Sequence, residues 1–277
     1  MNDPKQASET QNSVIQIGRQ WLTLVAILMA ITVNGFSNVF PPAGKNTGEV
    51  SNTTLGGVLI TPAGCAFAIW GLIYLGLIAY GIYQALPAQR HQKAFKQVSW
   101  AIIAACVLQM IWIYVFLSYY FWWAAAIILG IVGCLIAAYL PTRNLKPTRK
   151  TRWFLQAPIS IYFGWITIAS VLNVVGALYV IGVPAEAISE FESSVITSPM
   201  SGIMATVAMM CVSAGIAAII TFRYSDVSYP AVAIWALIGI TIRHMGLVPI
   251  AFVGISLSVG LSLIIMRVKL SRQLDAP

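Results

Sequence analysis

The sequence predicts an all-α integral membrane protein, a polytopic helical bundle of about eight transmembrane helices. Of its 277 residues, 59% are hydrophobic and 9% are charged, whereas soluble domains carry about 25% charged residues. A helix needs roughly 20 mostly apolar residues to cross a hydrocarbon core of ~30 Å. The candidate stretches are residues 20–40, 63–86, 99–117, 121–140, 154–182, 200–221, 228–243 and 246–267. Their continuous apolar character excludes a transmembrane β-barrel, whose strands alternate over about ten residues.

The distribution of basic residues predicts the orientation of the chain. The formal net charge is +8, and with eight spans and a cytoplasmic N-terminus most of the 16 basic residues fall on the cytoplasmic side. These residues are Lys5, Arg19, Arg90, Lys93, Lys96, Arg143, Lys146, Arg149, Lys150, Arg152, Arg223, Arg267, Lys269 and Arg272. Only Lys45 and Arg243 fall outside, as the positive-inside rule expects. We therefore predict a multi-pass protein, in a bacterial inner (plasma) membrane, with both termini in the cytoplasm.

The same distribution bears on the partners of the protein. Because the positive charge follows the loops of a membrane protein, it gives no reason to expect nucleic acid as a partner. Membrane lipid is an expected partner, since basic residues at the inner surface attract anionic headgroups.

The chain divides after its fifth apolar stretch. The predicted parts are a cytoplasmic tail (1–19), a five-helix part (20–182), an acidic outer connector (183–199), a three-helix extension (200–267) and a second cytoplasmic tail (268–277). Loop 41–58 is rich in Gly, Asn, Thr and Ser, and we expect it to be a non-helical lid on the outer face. Small residues in the extension suit close helix packing. The extension therefore either caps the bundle and leaves the protein monomeric, which we favour slightly, or forms a docking face for a partner.

The cysteines and ionisable residues form no recognisable catalytic or metal-binding arrangement. The four cysteines are Cys65, Cys106, Cys134 and Cys211. They lie far apart within apolar stretches, and we interpret them as small core residues. We predict that the protein is not an enzyme, has no metal site and requires no cofactor.

Two histidines and one acidic residue are candidates for other roles. His91 lies in a basic loop, where a solvated role is expected. His244, beside Arg243 at the outer surface, is a candidate for contacting a propionate or ligating haem, although an interfacial, charge-bearing role is more typical. No Asp, Glu, Lys or Arg lies deep in any stretch, and Asp226 occupies a short inner turn. Coupled transporters place ionisable residues near mid-membrane, so ion-driven transport is not expected.

The fifth stretch carries a polar and aromatic face. In a helix that advances about 100° per residue, Tyr162, Trp165, Ala169 and Asn173 fall within an arc of about 80°. A tryptophan and an asparagine are poorly suited to lipid contact. We therefore expect this face to point into the interior of the bundle.

Two other stretches have the same character. Trp70 and Tyr74, four residues apart, share one face of the second stretch, while Gln109, Trp112 and Phe116 fall within about 60° of arc on the third. A buried primary amide is costly without a partner, so each amide should bond across helices or to a ligand. Taken singly, each residue is more typical of helix packing. Three such faces in one bundle indicate a shared pocket for a large, flat, mostly apolar ligand.

These motifs resemble those of the tryptophan-rich sensory protein family (TspO), the bacterial relatives of the mitochondrial translocator protein. In that family a Pro-Pro element opens the second helix, which carries Trp-x-x-x-Tyr, and the third helix carries Asn-x-x-Trp-x-x-x-Phe. The fifth helix reads Tyr-Leu-x-Trp and then Ala-Thr-x-Leu-Asn. The matching positions here are Pro62, Trp70, Tyr74, Gln109 (in place of Asn), Trp112, Phe116, Tyr162, Trp165, Ala169, Ser170, Leu172 and Asn173. The resemblance covers residues 20–182 and implies a TspO-like five-helix bundle.

The resemblance also implies a function. It points to a receptor or sensor-like protein that binds a hydrophobic ligand, such as a tetrapyrrole (porphyrin, haem or bilin), inside the bundle, with a regulatory or trafficking role. The implied ligand-binding residues are Trp70, Tyr74, Gln109, Trp112, Phe116, Tyr162, Trp165, Ala169 and Asn173. We expect their pocket to open toward loop 41–58. The alternative is a passive membrane transporter, or facilitator, of an apolar small molecule.

The chain also departs from the family pattern. Thr61 replaces the first proline, Gly64 stands where a Trp is usual, and residues 41–60 contain no Trp. Because these positions form the family's lid, its lid contacts and porphyrin photochemistry are not carried over. No Lys or Arg follows Tyr179 closely, so the cholesterol binding of animal relatives is not carried over either. Residues 200–267 are expected to have no counterpart in the five-helix family.

Overall fold

The computed structural model describes residues 4–145, 148–180 and 199–274, and all regular secondary structure within them is helical. The long helices are α1 (Pro4–Val39), α2 (Ile69–Ala85), α3 (Lys93–Leu117), α4 (Phe121–Arg143), α5 (Ala157–Tyr179), α6 (Pro199–Tyr224), α7 (Ser228–Arg243) and α8 (Val248–Leu274). The short elements are a helix at Thr47–Asn52, 3-10 turns at Gly64–Ala68 and Pro87–Gln89, a helical turn at Arg149–Thr151 and a π-helical segment at Arg152–Gln156. The predicted acidic connector falls outside the described residues, except for its last position.

The helices confirm the predicted polytopic membrane bundle. Within the described residues, seven are long and apolar enough to cross a membrane, and α7, with 16 residues, is shorter. At 1.5 Å per residue α7 extends about 24 Å. It still reaches both ends of the bundle, because Asp226 just before it pairs with Arg143 of α4 and Arg243 at its last position bonds to Asn52. We call these two ends the basic end, with Arg143, and the loop end, with loop 41–58.

The first five helices form a ring. Around the ring, α1 packs against α2 and α3, α3 against α4, α4 against α5, and α5 back against α2. Helices α3 and α5 are therefore not neighbours but face each other across the interior. A ring of this order needs large side chains at its centre, which is where the predicted aromatic and amide faces would lie.

The extension is fused to the ring along α7. Helix α7 packs against α5, and α6 and α8 pack against α7 and against each other. Gly164 of α5 and Gly239 of α7 permit the close approach, because a Cβ at Gly239 would lie 2.8 Å from the Cβ of Ala66. Two hydrogen bonds join the parts there: Ala63 N donates to the Gly239 carbonyl at 2.9 Å, and the Trp235 indole donates to the Ala66 carbonyl at 2.9 Å.

Loop 41–58 covers the loop end of the ring and corrects one prediction. It was expected to be non-helical, but it contains the helix Thr47–Asn52. The reason is a capping box: the Asn46 side chain accepts from the backbone N–H of Glu49, and the Glu49 carboxylate accepts from that of Asn46. Val50 and Leu55 are fully buried, and Leu55 lies over Gly176 of α5. The loop is thus a plug with its own apolar core.

Two further expectations need correction. Cys106 is buried and Cys134 half-buried, but Cys65 and Cys211 are exposed, since a small thiol on the lipid-facing surface costs little. Helix α1 begins at Pro4, so the polar lead continues the first helix. Arg19 and Asp226 are 3% and 5% exposed, although neither lies deep in a predicted apolar stretch. Both residues lie at the basic end of the bundle, where neighbouring helices cover them.

Candidate ligand site in the bundle interior

The nine predicted ligand-binding residues all lie on inward-facing sides of α2, α3 and α5. Six of them are buried: Gln109, Trp112, Phe116, Tyr162, Trp165 and Asn173. The other three, Trp70, Tyr74 and Ala169, are half-buried. The helical arithmetic behind the three faces therefore holds, because side chains four residues apart stand above one another on a helix.

Trp70 is the centre of an aromatic group. Its ring centroid lies 5.4 Å from that of Tyr74, 6.4 Å from that of Tyr162 and 6.5 Å from that of Trp165. The Trp165 ring also meets Phe67 edge-on at 5.9 Å. These separations are typical of offset and edge-to-face aromatic pairs. The group joins α2 to α5 and presents several π-faces to the interior.

Two hydrogen bonds cross the interior from α3 to α5. The Trp112 indole donates to Oδ1 of Asn173 at 3.1 Å, and Asn173 is held within α5 by the bond from its Nδ2 to the Ala169 carbonyl at 2.8 Å. The Tyr162 hydroxyl reaches Oε1 of Gln109 at 3.5 Å, a long and weak contact. The two amides thus bridge helices that are not neighbours, and the bridge at Gln109 is the looser one.

Three buried donors of this site have no hydrogen-bond partner within the described residues. They are the hydroxyl of Tyr74, Nε2 of Gln109 and Nε1 of Trp165. Each belongs to a residue that contacts Trp70 or Tyr162. A buried donor without a partner costs about 1–3 kcal/mol. Three such donors around one pair of aromatic rings mark a place where a ligand with acceptor groups would be stabilised.

The centre of the ring is occupied by side chains in this conformation. The nine residues contact one another, and the plug (loop 41–58, with Val50 and Leu55 in its core) covers the loop end. Cavities of about 300, 600 and 650 Å³ are lined by other residues. The expected opening toward loop 41–58 would therefore require the plug and the aromatic group to move apart.

Sequence reasoning missed a buried ion pair at the basic end. Arg143 Nη1 lies 3.3 Å from Asp226 Oδ2, and the hydroxyls of Tyr139 and Ser160 donate to the same oxygen at 2.9 and 2.6 Å. The Arg143 guanidinium also lies 4.2 Å from the centroid of the Tyr139 ring. One signal was present: Asp226 is the only acidic residue between positions 193 and 274. The pair ties α4 and α5 to the turn that begins α7.

A second missed network holds α1, α2 and α3 together. The side-chain amide of Gln20 donates to the Gln84 carbonyl at 2.6 Å, and that of Gln84 donates back to the Gln20 carbonyl at 2.7 Å. Arg19 donates to the Ser99 hydroxyl and to the Arg90 carbonyl, both at 3.3 Å. Its Nε has no partner among the described residues. These bonds give the basic end of the ring a polar layer that closes it to lipid.

His244 does not belong to the aromatic and amide site. It lies at the loop end, just after α7, and its backbone N–H bonds to the Ile240 carbonyl at 3.1 Å. Burial and then the neighbouring Arg243 lower the pKa of its imidazole, while the backbone of Thr61 opposes them. Burial and Arg243 therefore favour the neutral form of the imidazole. Haem ligation by His244 would take place at the loop end, away from the Trp70 group.

These features define an integral, multi-pass membrane protein whose helical ring turns aromatic and amide side chains inward. Comparison with known families then identifies it further. The profile of the TSPO-like protein family matches residues 20–267, and the chain belongs to that family. The match runs through α6, α7 and α8 as well as the ring, so the extension lies within the matched region and does not follow it. No curated protein and no solved structure matched the chain.

Proposed function

We propose that this protein is a membrane receptor or sensor that binds a hydrophobic ligand, such as a tetrapyrrole, between α2, α3 and α5. Its role is regulatory or concerned with trafficking, and it is not catalytic. The observation that carries the proposal is the set of three unpartnered donors on Tyr74, Gln109 and Trp165. Most buried donors find partners within the protein, so three unpartnered donors around one pair of aromatic rings support a ligand that supplies acceptors.

The chemistry of the site describes its ligand. Donors outnumber free acceptors, so the ligand should carry acceptors such as the carboxylates of a porphyrin or haem or the lactam oxygens of a bilin. The rings of Trp70, Trp165 and Trp112 offer π-faces for a flat conjugated system. No formal charge belongs to the nine residues, so the binding energy would come from apolar burial and neutral hydrogen bonds.

We further propose how the protein sits and assembles. The termini and the basic end face the cytoplasm of a bacterium, in accordance with the positive-inside rule. The extension covers the side of α5 that faces away from the ring, and it also covers the turn before α2. Through this face a five-helix ring without an extension could pair with a second copy. The protein is therefore proposed to act as a monomer.

A titration with protoporphyrin tests the proposed site. Replacing two unpartnered donors, Gln109→Leu with Trp165→Phe, should weaken binding about 100-fold, because each hydrogen bond contributes about 1–1.5 kcal/mol and 1.4 kcal/mol is tenfold. Binding is measured in mild detergent from the shift of the porphyrin Soret band. Trp122→Phe is the matched control, since Trp122 is 52% exposed on α4.

Two outcomes of this titration separate the possibilities. Equal affinity of the wild-type protein and the double variant would remove the ring interior as the site. If binding is weakened as expected, sealed proteoliposomes then distinguish the receptor from the facilitator. A receptor retains the porphyrin at the protein, whereas a facilitator releases it into the lumen.

A further inference from the structure

A cavity lies at the basic end, where the extension meets the ring. One compartment, of about 650 Å³, is lined by Arg143, Arg152, Trp153 and Asp226 among others, and we call it the basic compartment. It is formed by the end of α4, the π-helical segment before α5 and the turn between α6 and α7. This cavity is separate from the aromatic and amide site in the ring.

A second compartment borders the first in the groove between the ring and the extension. It measures about 600 Å³ and is lined by apolar residues of α2, α5, α7 and α8, including Leu72, Ile161 and Trp235. We call it the apolar compartment. Val227, Ser228 and Lys269 line both compartments. A single elongated molecule can therefore occupy the two together.

Among the described residues that line the basic compartment, cations outnumber acids. Three cations, Arg143, Arg152 and Lys269, line it with one acid, Asp226. Arg143 is paired with Asp226 at 3.3 Å. The side chains of Arg152 and Lys269 make no ion pair or hydrogen bond with the residues that the structure describes. Within the part of the chain that the structure describes, Arg152 and Lys269 are thus cations without a partner, and Lys269 lines both compartments.

We propose that this cavity binds one anionic phospholipid of the surrounding membrane. The phosphate lies at Arg152 and Lys269, and an acyl chain fills the apolar compartment. The lipid joins the extension to the ring where α7 leaves the basic end. This site is independent of the ligand proposed for the ring interior.

The shape of the cavity favours a lipid over a soluble anion. The apolar compartment follows α7 from Ser228 to Trp235, a distance of about 10 Å at 1.5 Å per residue, and a free phosphate would leave it empty. Trp153, at the basic compartment, is 65% exposed, which is typical of a tryptophan at the membrane interface. The two free cations therefore lie at the depth of the lipid headgroups.

Native mass spectrometry of the full chain tests the lipid site. The protein is reconstituted with phosphatidylglycerol or phosphatidylcholine and extracted in mild detergent, and we expect it to retain one phosphatidylglycerol and no phosphatidylcholine. Arg152→Glu with Lys269→Glu should weaken retention at least about 25-fold, because each basic residue near an anionic surface contributes about a factor of five. Lys93→Glu with Lys96→Glu makes the same charge change at the same end, away from this cavity, and should have no effect.

A third variant separates a bound lipid from a bound headgroup. Ala231→Trp fills the apolar compartment without changing charge and should abolish retention. Equal retention by the wild-type protein and the Arg152, Lys269 variant would overturn the proposal. So would displacement of the lipid by glycerol phosphate together with full retention by Ala231→Trp. Arg152 and Lys269 are exposed, and unchanged melting temperatures would show that their replacement leaves the fold intact.

Discussion

Replacing Asp226 by Asn should lower the free energy of unfolding by about 3–5 kcal/mol, the usual cost of leaving a buried charge without its partner. The Asp226 carboxylate is 5% exposed and accepts from Tyr139, Ser160 and the backbone of Ser228. Asparagine keeps the shape and the bond from Ser228 but leaves the Arg143 guanidinium uncompensated. Reversible unfolding in mixed micelles measures the change.

The double variant Arg143→Met, Asp226→Asn is the matched control. With both charges removed, much of the loss should be recovered, so the two changes should be strongly non-additive. A loss below about 1 kcal/mol in Asp226→Asn, or simple additivity in the double variant, would show that the pair contributes little. In that case the extension is held to the ring by apolar packing and by the hydrogen bonds at Gly239 and Trp235.

The second large effect is expected at the closest contact between the extension and the ring. Gly239→Val should cost about 3 kcal/mol or more, the upper range for overpacking a tight core. A Cβ there would lie 2.8 Å from the Cβ of Ala66 and 3.1 Å from that of Pro62, and neither short side chain can rotate away. Relief requires α7 to move outward, which breaks the bond from Ala63 and the bond from Trp235.

Gly215→Val supplies the control for this substitution. Gly215 also lies within a helix of the extension, but no atom would come within 4 Å of its added Cβ. Both variants change helix propensity by the same small amount. Thermal unfolding of the two in the same detergent therefore isolates the contact itself. Equal melting temperatures would contradict the close approach of α7 to the 3-10 turn.

The ring and its inward faces could be predicted because hydrophobic length and helical periodicity are local properties. Twenty apolar residues define a span, and two successive steps of four residues place Trp165, Ala169 and Asn173 on one face. The short helix in loop 41–58 was missed because composition was weighed above the capping box of Asn46 and Glu49. The capping box is a local sequence pattern, so this helix could have been predicted from the sequence.

The long-range contacts could not be predicted in the same way. Arg143 and Asp226 are 83 positions apart, and the sequence predicts only that Arg143 lies on the cytoplasmic side and Asp226 in a short inner turn. Only the packing of α7 against α5 brings them together and removes them from water. The unpartnered donors on Tyr74, Gln109 and Trp165 have the same origin, because hydrogen-bond satisfaction depends on helices that meet across the ring. The residue types therefore predict a site, but only the tertiary structure shows which of its donors have no hydrogen-bond partner among the described residues.

The most direct measurement is the behaviour of Tyr74→Phe, because this change removes a single unpartnered oxygen and nothing else. The ligand-free protein should become more stable by about 1 kcal/mol, since a buried hydroxyl without a partner is lost. Protoporphyrin should bind about tenfold more weakly, since one hydrogen bond to the ligand is lost. In Tyr139→Phe, whose hydroxyl is bonded to Asp226, stability should fall and affinity should not change. A Tyr74→Phe protein that is less stable and binds protoporphyrin as tightly as the wild type would contradict a ligand site between α2, α3 and α5.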